Sequence, residues 1–368
     1  MDGREIAHRR LHNQHLSGPP LADPVAVVRH LCAVQAQEYA PAKWGLAQRT
    51  SGFDDAAIQR LVDTGAILRT HALRPTWHFI AATDIGWIQA LTGPRVHAFN
   101  AYYNRQHGLD DESFRRTNGI IVDALRGGNH LTRPELAAVL AKKGDPATGN
   151  RLAYVVMRAE LDGLIANGVM RGKQHTYALI EERAPDRIEL AADEALAELT
   201  RRYFTSHGPA TVKDFAWWSS LTITQIRRGL TLLGSTVESV EVGGLVYWWV
   251  PGGTPPPDPV PTVYALQGYD EYGVAYTEGR AVANLAGRKV VDPSENRTVQ
   301  PLVLDSQMVG RWARRVERGT VVVEPQLLVR LTAAQKKAVE REFARYAEFL
   351  AAPVVVAWPG SSTRSERA

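Results

Sequence analysis

One order of elements returns along this chain and limits what it can fold into. Asp23 followed by Pro24 reads as an N-cap with proline at the first helical position. The run "VAVVRHLCAVQAQ" places Val25, Val28, Leu31, Cys32 and Val34 at helical spacing. Pro41 is expected to end this helix, because a residue before proline is pushed out of the α region. A second helix is expected over Lys43–Gln48. A third covers "DDAAIQRLVDTG", with Asp54 and Asp55 near its start and Gly65 beyond its end. "AILRTHAL" and "PTWHFIA" then read as strands. Three helices followed by two strands is the order of a winged helix, a helix-turn-helix with a β-hairpin wing.

The order recurs twice. "FRRTNGIIVDALRGG", "TRPELAAVLAKKG" and "NRLAYVVMRAELDGLIANG" are helical, and Thr132 stands three residues before Glu135, a capping-box spacing. "VMRGKQHTYALI" reads as a hairpin turning at Gly172-Lys173. The third pass runs through "IELAADEALAELTRRYFTSHG", "TVKDFAWWSS" and "TITQIRRGLTLLG". Its strands "STVESVEV" and "LVYWWV" are joined by Gly243-Gly244. The repeat is one of element order, not of residues.

"PGGTPPPDPVP" is a stiff proline-rich linker. A mixed α/β region follows, with strands near "TVYALQGYDEY", "RTVQPLVL" and "GTVVVEP", the helix "TAAQKKAVEREFARYAEFL", and "PGSSTRSERA" as a disordered end. The expected organisation is α+β: winged helices over 1–108, 109–186 and 187–250, a linker over 251–261, an α/β region over 262–355 and a tail over 356–368.

Within 368 residues, 45 % hydrophobic and 22 % charged is ordinary for a folded soluble protein. The net charge of +4 is mildly basic and compatible with nucleic acid. A single cysteine, Cys32, excludes an internal disulfide and any multi-cysteine metal site. The N-terminus lacks the apolar run of a secretory signal, and no segment approaches the roughly 20 apolar residues of a membrane span. The chain is expected to be cytoplasmic. No phosphate loop, nucleophile elbow or His-Glu-x-x-His is present.

Gln35 and Gln37 flank Ala36 at the first corner. On a continuous helix, positions i and i+2 point roughly 200° apart and could not share a target. At a helix end or in an extended turn they can face one side. Taken alone, the pair also fits two polar residues that satisfy helix carbonyls or solvent.

The stretches "VRHLCAVQAQEYAPAKWGLAQRT", "ILRTHALRPTWHF" and "LQGYDEY" together resemble the AlkZ-like family of bacterial DNA glycosylases. The similarity runs from about Arg9 to Leu350. Family members carry tandem winged helices and a Gln–apolar–Gln motif at the catalytic centre. The resemblance implies that Gln35 and Gln37 are the catalytic pair and that N7-alkylated purines, some of them crosslinked, are the substrates. A related branch has Gln-x-Asp here. The Gln-Ala-Gln form resembles the branch tied to DNA-alkylating natural products, which implies self-resistance.

The residues suit that chemistry. An N7-alkylpurine is already cationic, so its glycosidic bond is weakened and needs no general acid. What remains is to place a water at C1′ and to stabilise an oxocarbenium-like sugar. A glutamine carbonyl can accept from the water while its amide donates to phosphate or a second water. A neutral base would need a stronger acid/base pair. No lysine stands out as a Schiff-base former, so a monofunctional glycosylase is expected, without cofactor or metal. Its partner would be double-stranded DNA, with the protein a monomer.

Lys43, Arg49, Arg69, Arg74 and His78 near the motif, Arg133 in the second unit, and Arg288 and Lys289 near the C-terminal region are the candidate DNA contacts. Spread over several units, such charges suit a concave surface tracking the backbone. The stretch "GRAVANLAGRKVVDPSENR" could form a DNA-touching hairpin. Trp44 is expected in the core, as are Trp217, Trp218, Trp248 and Trp249. Asp270 and Glu271 lack partners at metal-ligand spacing and are expected to be structural. The alternative reading is a non-catalytic winged-helix DNA-binding protein or transcription regulator. A sensor domain and a dimerisation helix, which it would want, are not evident.

Overall fold

The structure, a computed structural model, describes residues 1–252, 260–290 and 299–358. Most of the proline-rich linker, Arg297 and the segment "PGSSTRSERA" lie outside the described residues. The first region opens with helix α1 (Gly3–Asn13), then α2 (Pro24–Leu31), strand β1 (Val34–Gln35), α3 (Tyr39–Ala47), α4 (Asp55–Thr64), β2 (Ile67–Ala72) and β3 (Arg74–Ala81). Asp23 caps α2 by accepting from the Ala26 N–H, with Pro24 in the first turn. Asp54 caps α4, and Gly65 ends it in the left-handed conformation, φ 89°.

The corner itself differs from expectation. Pro41 does not end a helix. It sits in the first turn of α3, where its missing N–H costs nothing. The α2 helix stops at Leu31, because Cys32 takes a positive φ of 69°. The chain then runs extended through the glutamines. Val34 pairs with Phe79 and Gln35 with His78, so β1 adds an edge strand to the wing in the order β1-β3-β2.

A long helix, α5 (Ile85–Gln106), leads to the second region: α6 (Asp111–Leu125), β4 (Leu131–Thr132), α7 (Arg133–Lys142), α8 (Gly149–Leu161), β5 (Ile165–Asn167), β6 (Thr176–Leu179) and a short α9 (Ile180–Arg183). The expected capping box forms in full: Thr132 accepts from the Glu135 N–H and Glu135 accepts from the Thr132 N–H. The sheet order β4-β6-β5 repeats that of the first wing. The hairpin tip lies at Gly172-Lys173, inside the Arg171–Gln174 bridge.

The third region holds α10 (Ala192–Ser206), α11 (Val212–Ser219), α12 (Ile223–Leu233), β7 (Glu238–Val242) and β8 (Leu245–Trp249). Gly243 and Gly244, φ 61° and 79°, make the tight turn that needs two positive-φ residues. A bridge from Ala210 to Trp248 adds a third extended segment to this hairpin.

The C-terminal region contributes β9 (Val263–Ala265), α13 (Glu271–Val274), β10 (Gln300–Leu304), β11 (Gln307–Glu317), β12 (Thr320–Leu327), α14 (Ala333–Leu350) and β13 (Val354–Val356). Its five strands order as β13-β12-β11-β10-β9. The stretch expected as a hairpin near Arg280 is instead a 3-10 turn over Glu278–Asn284 in its described part.

The cores cross these sequence divisions. One joins Val28, Leu31, Val34 and Phe79 of the first region to Val263, Trp312 and Phe343 of the C-terminal region. Another joins Leu68 and Ile80 to Ile180 of the second region and to Tyr203 and Trp218 of the third. Among the described residues, the second region also has a core of its own, around Ile121, Leu140 and Val155. The glutamine corner therefore sits where three regions and the C-terminal segment converge.

Candidate active site

Strand alternation divides the motif. Val34 and Ala36 enter the first core beside Phe79, so Gln35 and Gln37 share the opposite face. Gln35 is 5 % exposed, and Gln37 is half-buried. The i, i+2 geometry that a helix would forbid is thus supplied by an extended edge.

Each glutamine is held by the protein at its oxygen. Gln35 Oε1 accepts from Arg74 Nη2 at 2.8 Å. Gln37 Oε1 lies 3.4 Å from the Trp77 N–H, a long bond that continues the ladder past the end of β1. The Ala36 N–H donates to the Trp77 carbonyl at 2.7 Å between them. A carbonyl oxygen has two lone pairs, so each retains one, and each amide keeps its NH₂ for a ligand.

The Gln35 main chain is held too. Its N–H donates to Glu271 Oε1 at 2.8 Å, across 236 positions of sequence. Glu271 also accepts from Trp218 Nε1 at 2.8 Å and faces His207 Nε2 at 3.3 Å. Burial alone would raise its pKa. The hydrogen bond and charge of His207, then the Arg74 charge and the Gln35 N–H, instead hold it down at about 2. His78, opposite Gln35, is fully buried. Burial and then the Arg74 charge lower its pKa to about 3. Its Nδ1 lies 2.9 Å from the Thr76 carbonyl. A carbonyl only accepts, so Nδ1 carries the proton and Nε2 presents a lone pair. Among the described residues, Nε2 of His78, Oγ1 of Thr76 and Nε of Arg74 have no partner, though all are buried. An unpaired polar row beside the glutamines is costly for stability alone.

The other predicted contacts scatter. Arg69 is buried, donates to the Ala36 carbonyl at 3.0 Å and stacks on Trp77, 4.5 Å from the ring centroid. With Tyr39 on its other side it forms one wall of the motif. Lys43 is buried and bound to Asp55 at 2.9 Å. Arg49 is 1 % exposed and doubly bonded to Asp270, with 2.9 Å contacts to each oxygen. Burial and these partners turn Lys43 and Arg49 away from phosphate, and His78 is likewise enclosed. Arg133 is half-exposed and donates to the Gly149 carbonyl. Arg288 is half-buried near Met308, and Lys289 is exposed.

Trp44 packs in the first core, and its Nε1 donates to the Ala265 carbonyl at 2.8 Å. Gln48 joins it on that carbonyl and reaches Glu342. A Cβ at Gly45 would stand 3.3 Å from Asp270 Oδ2. "KWGLAQRT" is thus the surface that docks α3 on the C-terminal region. Trp218 and Trp249 are buried as expected, but Trp217 is 48 % exposed, with Arg74 6.0 Å from its ring. Glu271, expected from the sequence to be structural, is brought to the glutamine corner by the fold. Among the described residues, no three His, Cys, Asp or Glu side chains gather as a metal ion would need, and no helix is long and apolar enough to cross a membrane.

The sequence matches the family described as DNA glycosylase AlkZ-like over residues 28–349. The chain belongs to the AlkZ-like family. It is accordingly a DNA glycosylase, a hydrolase of N-glycosyl bonds. An interstrand DNA cross-link repair glycosylase of Streptomyces sahachiroi is 27 % identical over 364 residues, covering 94 % of this chain and 95 % of that protein. The solved structure of Streptomyces sahachiroi DNA glycosylase AlkZ superposes with a TM-score of 0.79 at 23 % identity, over 97 % of this chain and 100 % of that one. The AlkZ fold thus extends over nearly the whole molecule.

Proposed function

We propose that this AlkZ-like protein hydrolyses the N-glycosidic bond of N7-alkylated purines, including bulky and interstrand-crosslinked adducts, with Gln35 and Gln37 positioning the attacking water. The supporting observation is the pair of glutamines on one face of an edge strand, each oriented by a donor to its oxygen. Each retains one lone pair for a water proton and an NH₂ for a phosphate or second water. A neutral histidine and a buried carboxylate stand behind them. Neither is a free acid able to protonate a leaving base, which suits a lesion that carries its own positive charge.

Three winged-helix units, with divisions near 108, 186 and 250, are the reading that best accounts for the repeated helices and hairpins. Their shared concave face would track duplex DNA through phosphate contacts, Arg133 and Lys289 among them. The protein would act as a monomer. Bulky adducts fit an open cleft better than full extrusion into a closed pocket. Self-resistance of an organism making a DNA-alkylating metabolite is the setting that this substrate implies.

The test is release of base from a duplex containing N7-methylguanine, followed by strand cleavage at the abasic site. Gln35→Ala and Gln37→Ala are expected to lose activity while keeping DNA affinity. Release by wild type from neither this duplex nor an N7-crosslinked one, or full activity in both variants, would refute the proposal.

A further inference from the structure

Glu271 is a carboxylate 1 % exposed, met by three N–H groups: the Gln35 main chain, Trp218 Nε1 and His207 Nε2. His207 is itself buried, which lowers its pKa, while its bond to Glu271 acts in the opposite sense. A carboxylate buried this fully is expensive and is better explained by use than by stability. After His207, the charge that lowers its pKa most is that of Arg74. Arg74 is bonded to the side-chain oxygen of the same glutamine that Glu271 holds by its main chain. Gln35 thus lies between an anion and a cation. A guanidinium alone at that position would oppose a positive charge at C1′. The buried anion reverses the sign of that problem, because charges inside a site of reduced polarity act over several ångströms.

We propose that Glu271 is a positioning residue of the glycosylase. It pins the strand carrying Gln35 through its N–H, and it supplies the negative potential that allows a cationic sugar to form beside Arg74. The inference rests on the Gln35–Gln37 centre proposed above and assigns that centre its charge balance.

The experiment uses the full chain and two duplexes. One carries a pyrrolidine ring in place of the target sugar, protonated near neutral pH as a mimic of the oxocarbenium ion. The other carries the neutral tetrahydrofuran isostere. The ratio of the two affinities reads the preference for positive charge at C1′, because backbone contacts cancel. Wild type is expected to favour the cationic ring by about 10-fold or more. Glu271→Gln keeps an acceptor for the Gln35 N–H but removes the charge. It is expected to bring the ratio near one and to slow single-turnover release of N7-methylguanine by about 10²-fold. Should that variant fail to fold, Arg74→Met is the second test. It is expected to raise the ratio severalfold, since Glu271 is then unopposed, while release slows because Gln35 loses its orienting donor. A ratio unchanged by Glu271→Gln, or unchanged or lowered by Arg74→Met, overturns the inference. A wild type with no preference for the cationic ring defeats the reading of the Gln35–Gln37 centre itself, so the two failures are told apart.

Discussion

The first and second wings share a plan and differ at one edge. Both sheets place the last strand in the middle and a two-residue strand on the outside: β1 in the first, β4 in the second. In the second wing, that short strand ends on Thr132, which caps the following helix with its side chain, and Thr176 opposite it donates its hydroxyl to the Val169 carbonyl. In the first wing, the short strand ends on Gln35, and two further residues intervene before Glu38, which starts α3 without any side-chain cap. Opposite Gln35 stands His78 with an unpaired Nε2. The third region follows the second: Ala210 bridges the hairpin and Thr211 caps α11. Two edges close on a side-chain cap and the third does not, a contrast that supports the proposed placement of the chemistry at the third.

The largest expected contrast is in excision. Gln35→Ala is expected to lower single-turnover base release by about 10²-fold or more, with Tm within a few degrees of wild type. The matching change in the second wing, Thr132→Ala, should leave release unchanged. Equal rate losses in both would dissolve the distinction between the edges.

The next contrast is in the basic residues. Arg49 in the first region is buried against Asp270, whereas Arg133 in the second is half-exposed. Arg49→Met strands a buried carboxylate and is expected to cost about 3–5 kcal/mol, read by chemical denaturation. Arg133→Ala should stay within about 0.5 kcal/mol of wild type in stability. It should instead reduce the salt dependence of DNA binding by about one phosphate contact. A normal midpoint for Arg49→Met with weakened DNA binding would return that residue to the interface.

How far the sequence carried this reading depended on where each signal was local. Caps at Asp23, Asp54 and Thr132 and the Gly243-Gly244 turn are local chemistry and were legible. The helix α5 was not, because buried Trp87, Ile88 and Val96 share it with exposed Phe99, Tyr102 and Tyr103, which blurs any single apolar stripe. Strand β11 was missed because its second half faces solvent and carries Arg314, Arg315 and Glu317. At the site, the glutamines were visible as a pair, but their extended backbone was not, since β1 is only two residues long. Glu271 was beyond reach of spacing arguments, because its bond to Gln35 joins opposite ends of the chain. Nor can composition say that Asp55 and Asp270 lie against Lys43 and Arg49.

Acid should act where the first wing meets the second. Burial lowers His78 from 6.5 to about 3 and His175, packed against Tyr39, from 6.5 to about 4. Below pH 6.5, the unfolded chain binds protons that these rings refuse, so stability falls as pH drops. Glu271, lowered from 4.5 to about 2, adds loss in the same direction below pH 4.5. Tm is therefore expected to decline on acidification from near neutrality. His78→Gln should make that decline shallower. A slope that His78→Gln leaves unaltered would mean that this ring is not held neutral by its burial.

The smallest effect is also the cleanest measure of what the motif displaced. Thr132 and Glu135 satisfy each other's backbone N–H groups at the start of α7. Removing the hydroxyl frees one donor, and such caps contribute typically about 1 kcal/mol. Thr132→Ala is thus expected to lower stability by about that amount, seen as a small shift in denaturation midpoint at constant slope. The first wing offers the converse. Glu38 begins α3 without a side-chain cap, so Glu38→Asp or Glu38→Ser, with shorter acceptors suited to that position, should stabilise by a few tenths of a kcal/mol up to about 1. If the corner is shaped by chemistry rather than by folding, this gain comes with slower base release, because a side-chain cap at position 38 draws the Gln37 segment toward the helix and away from Trp77. A variant that gained stability with no change in rate would show that the uncapped start of α3 is incidental, and that only the strand-borne part of the corner serves the reaction.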